Sequence, residues 1–263
     1  MVVTAGVDIG AKCVKVVVLR DGKVASKAID LGGFDQRSTS ERLLLKAIAD
    51  AGATEKDVAC VVATGAGKDE FPRASDRVTE VTADAKGATV VHPKARTVIS
   101  VGAEEGRAIR CDERGKVVDF VINEKCAAGA GAFTEAMARA LELGVEDLGP
   151  LALRSTNAVP MNAQCAVFAE SEVVSLVHAG TPKEDISRAI HVAIANRISS
   201  MARRTSIESD VVLIGGVARN VGFVESLKAE LGMDVFVPQD PEFVSALGAA
   251  HIAWERAIVR GGR

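Results

Sequence analysis

The amino-acid sequence predicts an α/β protein of two lobes that repeat one supersecondary unit, and three observations carry this. β-branched runs at residues 2–8, 14–19 and 23–29 are divided by short glycine-bearing turns, the pattern of three successive antiparallel strands. The same triplet returns at residues 97–101, 107–111 and 117–122, which an internal duplication explains most simply. After each triplet, stretches with apolar residues at helical spacing alternate with single buried strands. A chain of 263 residues is long enough for two such lobes.

In order along the chain, the first turn runs Asp8-Ile-Gly-Ala-Lys-Cys-Val-Lys15. It puts a carboxylate at a strand end and a glycine where backbone can approach a phosphate; a plain hairpin with a surface aspartate fits the spacing equally well. Asp21-Gly22 is the second turn signal. Leu43, Leu44, Ala47 and Ile48 share one face of a helix over residues 39–51, with Gly52 as its stop. The strand at 58–63 ends in Thr64-Gly-Ala-Gly-Lys68, which superficially suggests a P-loop. Val62 stands where that motif needs glycine and Asp69 where it needs Ser or Thr, so we read a strand-end loop, with Cys60 in the core. A helix over 79–87 ends at Gly87, and His92-Pro93 marks the connection to the second lobe. The expected lobes are residues 1–95 and 96–263, the last helix returning to the first.

The second lobe opens with turns at Gly102-Ala-Glu-Glu-Gly106 and Glu113-Arg-Gly115. Cys126 follows in a loop that feeds a helix carrying Phe133, Met137, Ala140 and Leu141. A loop-rich passage around Gly149-Pro150 and residues 155–157 leads to Cys165 at the start of another helix through His178. Unpaired N–H groups at such helix starts favour negative charge, which suits a phosphate, a thiolate or an anionic cluster. We read Cys126 and Cys165 as metal ligands with a nucleotide close by. Thr181-Pro-Lys-Glu184 forms a capping box with proline at the first helical position, and Ile186, Ile190, Ala193, Ile194, Ile198 and Met201 line the apolar face that follows. Residues 210–214 form a buried strand leading through Gly215-Gly216 into a helix ending at Leu231. That glycine pair serves close approach of a ligand or simply tight packing. A strand at 234–237 and a small-residue helix over 242–250 complete the chain, the helix's glycine and alanines permitting close contact with a neighbour.

Composition excludes several classes. Net charge is −3, no Lys/Arg cluster lies on one face, and one Trp with no Tyr leaves little to stack on bases, so nucleic acid is not expected as a partner. No apolar run reaches bilayer-spanning length and no basic leader opens the chain, so we expect no membrane contact and a cytoplasmic location. The five cysteines, at 13, 60, 111, 126 and 165, are odd in number and irregularly spaced, against a disulfide framework. None forms a Cys-x-x-Cys pair, so if a cluster is bound, another subunit must supply ligands. Cys13, Cys60, Cys111 and His251 are read as packing, and His92, His178 and His191 as surface or satisfied residues.

Taken together, Asp8-Ile-Gly-x-x-x-x-Lys15, Cys126-Ala-Ala-Gly-x-Gly-x-Phe133, Cys165-Ala-Val-Phe-Ala-Glu-Ser-Glu172, Gly215-Gly-Val-Ala-x-Asn220 and Ala246-Leu-Gly-Ala249 resemble the BadF/BadG/BcrA/BcrD-type ATPases. These activate 2-hydroxyacyl-CoA dehydratases and benzoyl-CoA reductases. The resemblance runs through nearly the whole chain. It implies the actin, Hsp70 and sugar-kinase fold with a nucleotide cleft between the lobes, together with ATP, Mg2+ and a 4Fe-4S cluster shared between two subunits. Cys126 and Cys165 would be this chain's half of the cluster ligands. Asp8, Gly10, Ala11, Lys12 and Lys15 match the first phosphate loop, Gly102, Ala103, Glu104 and Glu105 the second, and Gly215, Gly216, Ala218 and Asn220 the adenosine loop. Gly129 and Gly131 would lie between cluster and phosphates. Asp8 would position magnesium and water, Lys15 would neutralise phosphate charge, and Glu104 or Glu105 would orient the attacking water.

One stretch departs from the activators' usual pattern. Where they read Asp-Ile-Gly-Gly-Gln-Asp, this chain reads Ser100-Val-Gly-Ala-Glu-Glu105, a form that resembles the delta-type ATP-binding subunit of benzoyl-CoA reductase. The expected function is therefore that of an ATP-dependent oxidoreductase subunit in a ferredoxin-dependent, dearomatising benzoyl-CoA reductase. Its partners would be a homologous ATPase subunit across the cluster, larger reductase subunits and ferredoxin. The alternatives are a homodimeric activator of a 2-hydroxyacyl-CoA dehydratase, a sugar or carboxylate kinase of the same fold, and a nucleotide-switched binding module.

Overall fold

The computed structural model describes residues 1–123, 131–161 and 166–261. The chain divides into two compact units. Met1–Ala95, Cys111–Val118 and Pro238–Arg263 form unit 1, and Arg96–Arg110 with Asp119–Val237 form unit 2.

In unit 1, β1 (Val3–Ile9), β2 (Cys13–Arg20) and β3 (Lys23–Leu31) form the antiparallel triplet. Asp21 and Gly22 make the tight turn between the last two, both at positive φ (49° and 77°). β4 (Val58–Thr64) and the short β5 (Asp76–Arg77) extend the sheet in parallel, giving the order β3-β2-β1-β4-β5. Every residue of β1 is buried, because helices cover both faces of the sheet centre. Alternation sorts the β2 side chains: Val14, Val16 and Val18 pack with Leu43, Leu44, Ala47 and Ile48 of α1 (Gln36–Asp50). Val17 and Leu19 point the other way, onto Ala246 and Ala250 of α8 (Val244–Gly261).

The helix expected to stop at Gly87 does not stop there. α2 spans Glu80–Val91, and Gly87 lies inside it. A Cβ at Gly87 would sit 2.0 Å from the Val244 carbonyl oxygen, and one at Gly248 would sit 1.9 Å from that of Ala83. The two glycines let α2 and α8 cross backbone to backbone. Gly6 does the same for β1, where a Cβ would lie 2.1 Å from the Ala246 carbonyl oxygen.

Unit 2 repeats the plan. β6 (Thr97–Val101), β7 (Gly106–Cys111), β8 (Val117–Asn123), β9 (Val211–Ile214) and β10 (Val235–Phe236) lie in the order β10-β9-β6-β7-β8. β6 pairs antiparallel with β7 and parallel with β9, as β1 pairs with β2 and β4. Its helices are α3 (Gly131–Ala140), α4 (Val145–Ala152), α5 (Ala166–His178), α6 (Lys183–Ala202) and α7 (Val221–Leu231). Phe133, Met137, Ile186, Ile190, Ile194, Ile198, Leu213 and Phe223 meet in one core.

Two expectations change in this unit. The passage around Gly149-Pro150 is helical rather than loop-rich, because Gly149 lets α4 lie against Gly222 at the start of α7, where an added Cβ would come within 3.1 Å of backbone nitrogen. The expected capping box also fails to form: α6 begins at Lys183 after Pro182, with no side-chain cap. Glu184 instead pairs with Arg154 at 3.4 Å. Buried Asp185 holds the turn that follows α4, accepting hydrogen bonds from Ser155 Oγ at 2.7 Å and from Asn157 N at 3.2 Å. These bonds favour the carboxylate and keep its pKa below the usual value.

Candidate functional site

The β1–β2 turn carries the first group of candidates. Asp8 and Lys15 are cross-strand partners in the β1–β2 register, and Lys15 Nζ donates to Asp8 Oδ2 at 3.2 Å in a largely buried pair. Gly10 closes the turn by donating its N–H to the Cys13 carbonyl at 3.1 Å. Ala11 and Lys12 are exposed at its tip.

The β6–β7 turn in unit 2 has the same architecture, with Gly102 N–H donating to the Glu105 carbonyl at 2.9 Å. Its two acidic side chains differ. Glu105 accepts from Arg107 Nη2 at 2.9 Å, whereas Glu104 is exposed. This turn is also the dock for α3: Gly131 N–H donates to the Gly102 carbonyl and Ala132 N–H to the Ala103 carbonyl, both at 2.8 Å. The first helical N–H groups, expected to be uncompensated, are thus spent on the loop. Carbonyl oxygens satisfy the positive end of the helix as an anion would. A Cβ at Gly131 would lie 3.2 Å from the Gly102 oxygen, so glycine permits the dock.

After β9, Gly215 adopts φ +91°, and a side chain there would strike Val101 at 2.3 Å from its carbonyl oxygen. Gly216 differs: its φ is ordinary and a Cβ there meets nothing within 4 Å, so neither conformation nor packing demands glycine. That open space is what a ligand approaching the backbone requires. Ala218 is buried and donates its N–H to the Gly215 carbonyl at 3.2 Å. Asn220 caps α7, its Oδ1 accepting from Phe223 N–H at 3.1 Å, while its Nδ2 is buried with no hydrogen-bond partner among the described residues.

Beside Asn220 lies His191, which the sequence suggested to be a surface or satisfied residue. It is fully buried in α6; Nδ1 meets the Ser187 carbonyl at 2.6 Å and Nε2 has no partner among the described residues. Burial lowers its pKa, the Ser187 and Asn220 contacts opposing. Arg107 and Gln36, which donates to the Gly10 carbonyl at 3.2 Å, carry no sequence signal either. The partner of Gln36 lies 26 residues away, so its identity needs the fold.

Cys126, Gly129 and Cys165 lie outside the described residues. The helices that follow the two cysteines, α3 and α5, pack on each other and share one core through Phe133, Met137, Ala169 and Val173. Cys60 and Cys111 are buried and Cys13 is half-buried. Among the described residues no three His, Cys, Asp or Glu side chains gather where a metal could be held, and no helix is long and apolar enough to cross a membrane.

The sequence profile of the BadF/BadG/BcrA/BcrD ATPase family matches residues 5–253. The chain belongs to that family. Among relatives, the activator of lactoyl-CoA dehydratase from Anaerotignum propionicum is 39% identical over 97% of this chain and 98% of its own length. A benzoyl-CoA reductase subunit from Thauera aromatica is 31% identical over 95% of this chain and 92% of its own. Among solved structures, component A of the (R)-2-hydroxyglutaryl-CoA dehydratase from Acidaminococcus fermentans superposes with a TM-score of 0.95 at 35% identity, covering 98% of this chain and 100% of that one. The activator of the 2-hydroxyisocaproyl-CoA dehydratase from Clostridium difficile, with bound ADPNP, gives 0.93 at 34%, covering 99% and 97%. A ROK family glucokinase from Streptomyces griseus, at 14% identity and a TM-score of 0.59, shares the fold alone. This BadF/BadG/BcrA/BcrD ATPase therefore has the actin-like ATPase fold. Its more similar relatives are dehydratase activators, which corrects the emphasis on the reductase: six residues at 100–105 pointed there, and identity over the whole length outweighs them.

Proposed function

We propose that this chain is the ATP-hydrolysing activator of a 2-hydroxyacyl-CoA dehydratase, working as a homodimer and fed electrons by a ferredoxin. The observation that carries the reading is 36–39% identity, over 97% of the chain, to three such activators. The open backbone at Gly216 fits an adenine nucleotide on the loop 215–220. Asp8 would hold Mg2+ through its water shell once a phosphate draws Lys15 from the carboxylate, since a triphosphate competes well for an ammonium. Ala11, Lys12 and Ala103 would offer backbone N–H groups to the phosphates, from turns that Gly10 and Gly102 close with their own N–H groups. Glu104, unlike the paired Glu105, is available to orient the attacking water.

Cys126 and Cys165 would each provide a thiolate, two of the four that a 4Fe-4S cluster takes, the other two coming from a second copy. When bound, that cluster supplies one-electron transfer at a potential set by its surroundings. The residues that would change those surroundings are in α3, whose first two N–H groups are tied to the second phosphate loop, so displacement of that loop during hydrolysis would shift the helix after Cys126.

A second reading, an ATP-binding subunit of a benzoyl-CoA reductase complex, is favoured by Ser100-Val-Gly-Ala-Glu-Glu105 and by the 31% identity to the Thauera aromatica reductase subunit. Anaerobic purification separates the two. The activator reading expects a brown dimer with about four iron atoms per two chains, ATPase activity, and activation of a 2-hydroxyacyl-CoA dehydratase. It expects Cys126→Ser and Cys165→Ser to lose iron while keeping nucleotide affinity. Co-purification with larger reductase subunits supports the second reading. A colourless protein that phosphorylates a sugar overturns both.

A further inference from the structure

We propose that Gln36 is a positioning residue which, braced by the turn at residues 65–67, holds the β1–β2 loop so that its peptide N–H groups face a nucleotide phosphate. The inference rests on the reading of residues 8–15 as a phosphate loop.

Four consecutive carbonyls of this loop are held from within unit 1. Ile9 O accepts Gly67 N–H at 3.0 Å and Lys12 O accepts Gly32 N–H at 2.8 Å. Between them, Gly10 O and Ala11 O accept the same Gln36 Nε2, at 3.2 and 3.3 Å. A trans peptide is planar, so its N–H points opposite to its C=O. Fixing the carbonyls of Gly10 and Ala11 on Gln36 therefore turns the N–H groups of Ala11 and Lys12 away from it. An anion on that side meets two donors. Without the amide, either peptide can rotate a carbonyl toward the anion instead, and repel it.

The surroundings are shaped for this one side chain. A Cβ at Gly32 would lie 3.0 Å from Gln36 Nε2, and one at Gly67 would lie 3.0 Å from Gln36 Oε1 and 2.5 Å from Ile9 Cγ2. Gly65 has φ +92° and would put a Cβ 2.4 Å from the Ile9 carbonyl oxygen. Asp35 Oδ1 caps α1 by accepting Ser38 N–H at 3.0 Å, which fixes the turn from which Gln36 projects. Thr64-Gly-Ala-Gly-Lys68 thereby acts as the buttress behind a phosphate loop and not as such a loop itself.

The test is Gln36→Met in the full chain, which keeps the length of the side chain and removes its donors. ATP affinity should fall by about tenfold, as the loss of two ordinary hydrogen bonds allows, while adenosine affinity stays as in the wild type. Unchanged ATP affinity overturns the proposal. So does equal weakening of ATP and adenosine, the mark of a merely structural role. Should the variant not fold, the Gln36 side-chain amide signal of 15N-labelled wild-type protein decides: a shift with ATP and none with adenosine supports the proposal, and no shift with ATP overturns it. Wild-type protein that does not bind ATP removes the phosphate-loop reading and this inference together. Wild-type binding with an indifferent Gln36→Met removes this inference alone.

Discussion

His191 is an imidazole held neutral inside α6. Its Nδ1 lies 2.6 Å from the Ser187 carbonyl, an arrangement that needs the proton on Nδ1 and leaves Nε2 bare beside Asn220. Because burial lowers its folded pKa below 6.5, the unfolded chain takes up the proton first as pH falls. Stability should therefore decline below about pH 6.5, by at most about 1.4 kcal/mol per pH unit from this group. Urea unfolding between pH 7.5 and 5 checks this: His191→Gln should lose less stability on acidification than the wild type, and parallel curves would clear His191. At this scale the sequence was partly legible. Asp8 and Lys15 are neighbours across one turn, so motif spacing names both. Gln36 and His191 are read only through partners 26 and 29 residues away, the Gly10 carbonyl and Asn220, and neither carries a motif.

Glycines misled the reading of elements, because the same residue that ends a helix also lets two helices touch. Gly52, at φ +66°, does terminate α1, and Gly232, at φ +69°, terminates α7. Gly87 and Gly248 serve the crossing of α2 and α8, and Gly149 with Gly222 the meeting of α4 and α7. Gly248→Ala should therefore destabilise unit 1 by about 2 kcal/mol or more, since a methyl meeting backbone cannot be relieved by a rotamer change. Gly232→Ala is also strained by its positive φ, but with open space around it should cost about 1 kcal/mol. Chemical denaturation that ranks the two in the opposite order would refute this account of the crossing. The expected cap at Thr181 does not form, and Asp185, one position beyond the box, binds Ser155 and Asn157 from a turn far back in the chain.

Across the whole molecule, the two sheets are built alike, β3-β2-β1-β4-β5 matching β8-β7-β6-β9-β10, and each offers its first tight turn as a phosphate-loop candidate. A nucleotide that binds only the folded state must stabilise it by mass action. ATP at about one hundred times its dissociation constant should add about 2.7 kcal/mol, read as a rise in unfolding temperature in Mg-ATP. No rise at saturating ATP would count against the proposed function. The strand triplets, the duplication and the family's motifs were determined by the sequence by itself, because alternation, turn residues and motif spacing are local properties. Which glycines break helices and which let them cross, which partners Asp185 finds, and what holds the first phosphate loop were decided only by the tertiary structure. Each depends on an atom supplied by a distant part of the chain, and a buried backbone or amide group must find such a partner wherever the fold provides one.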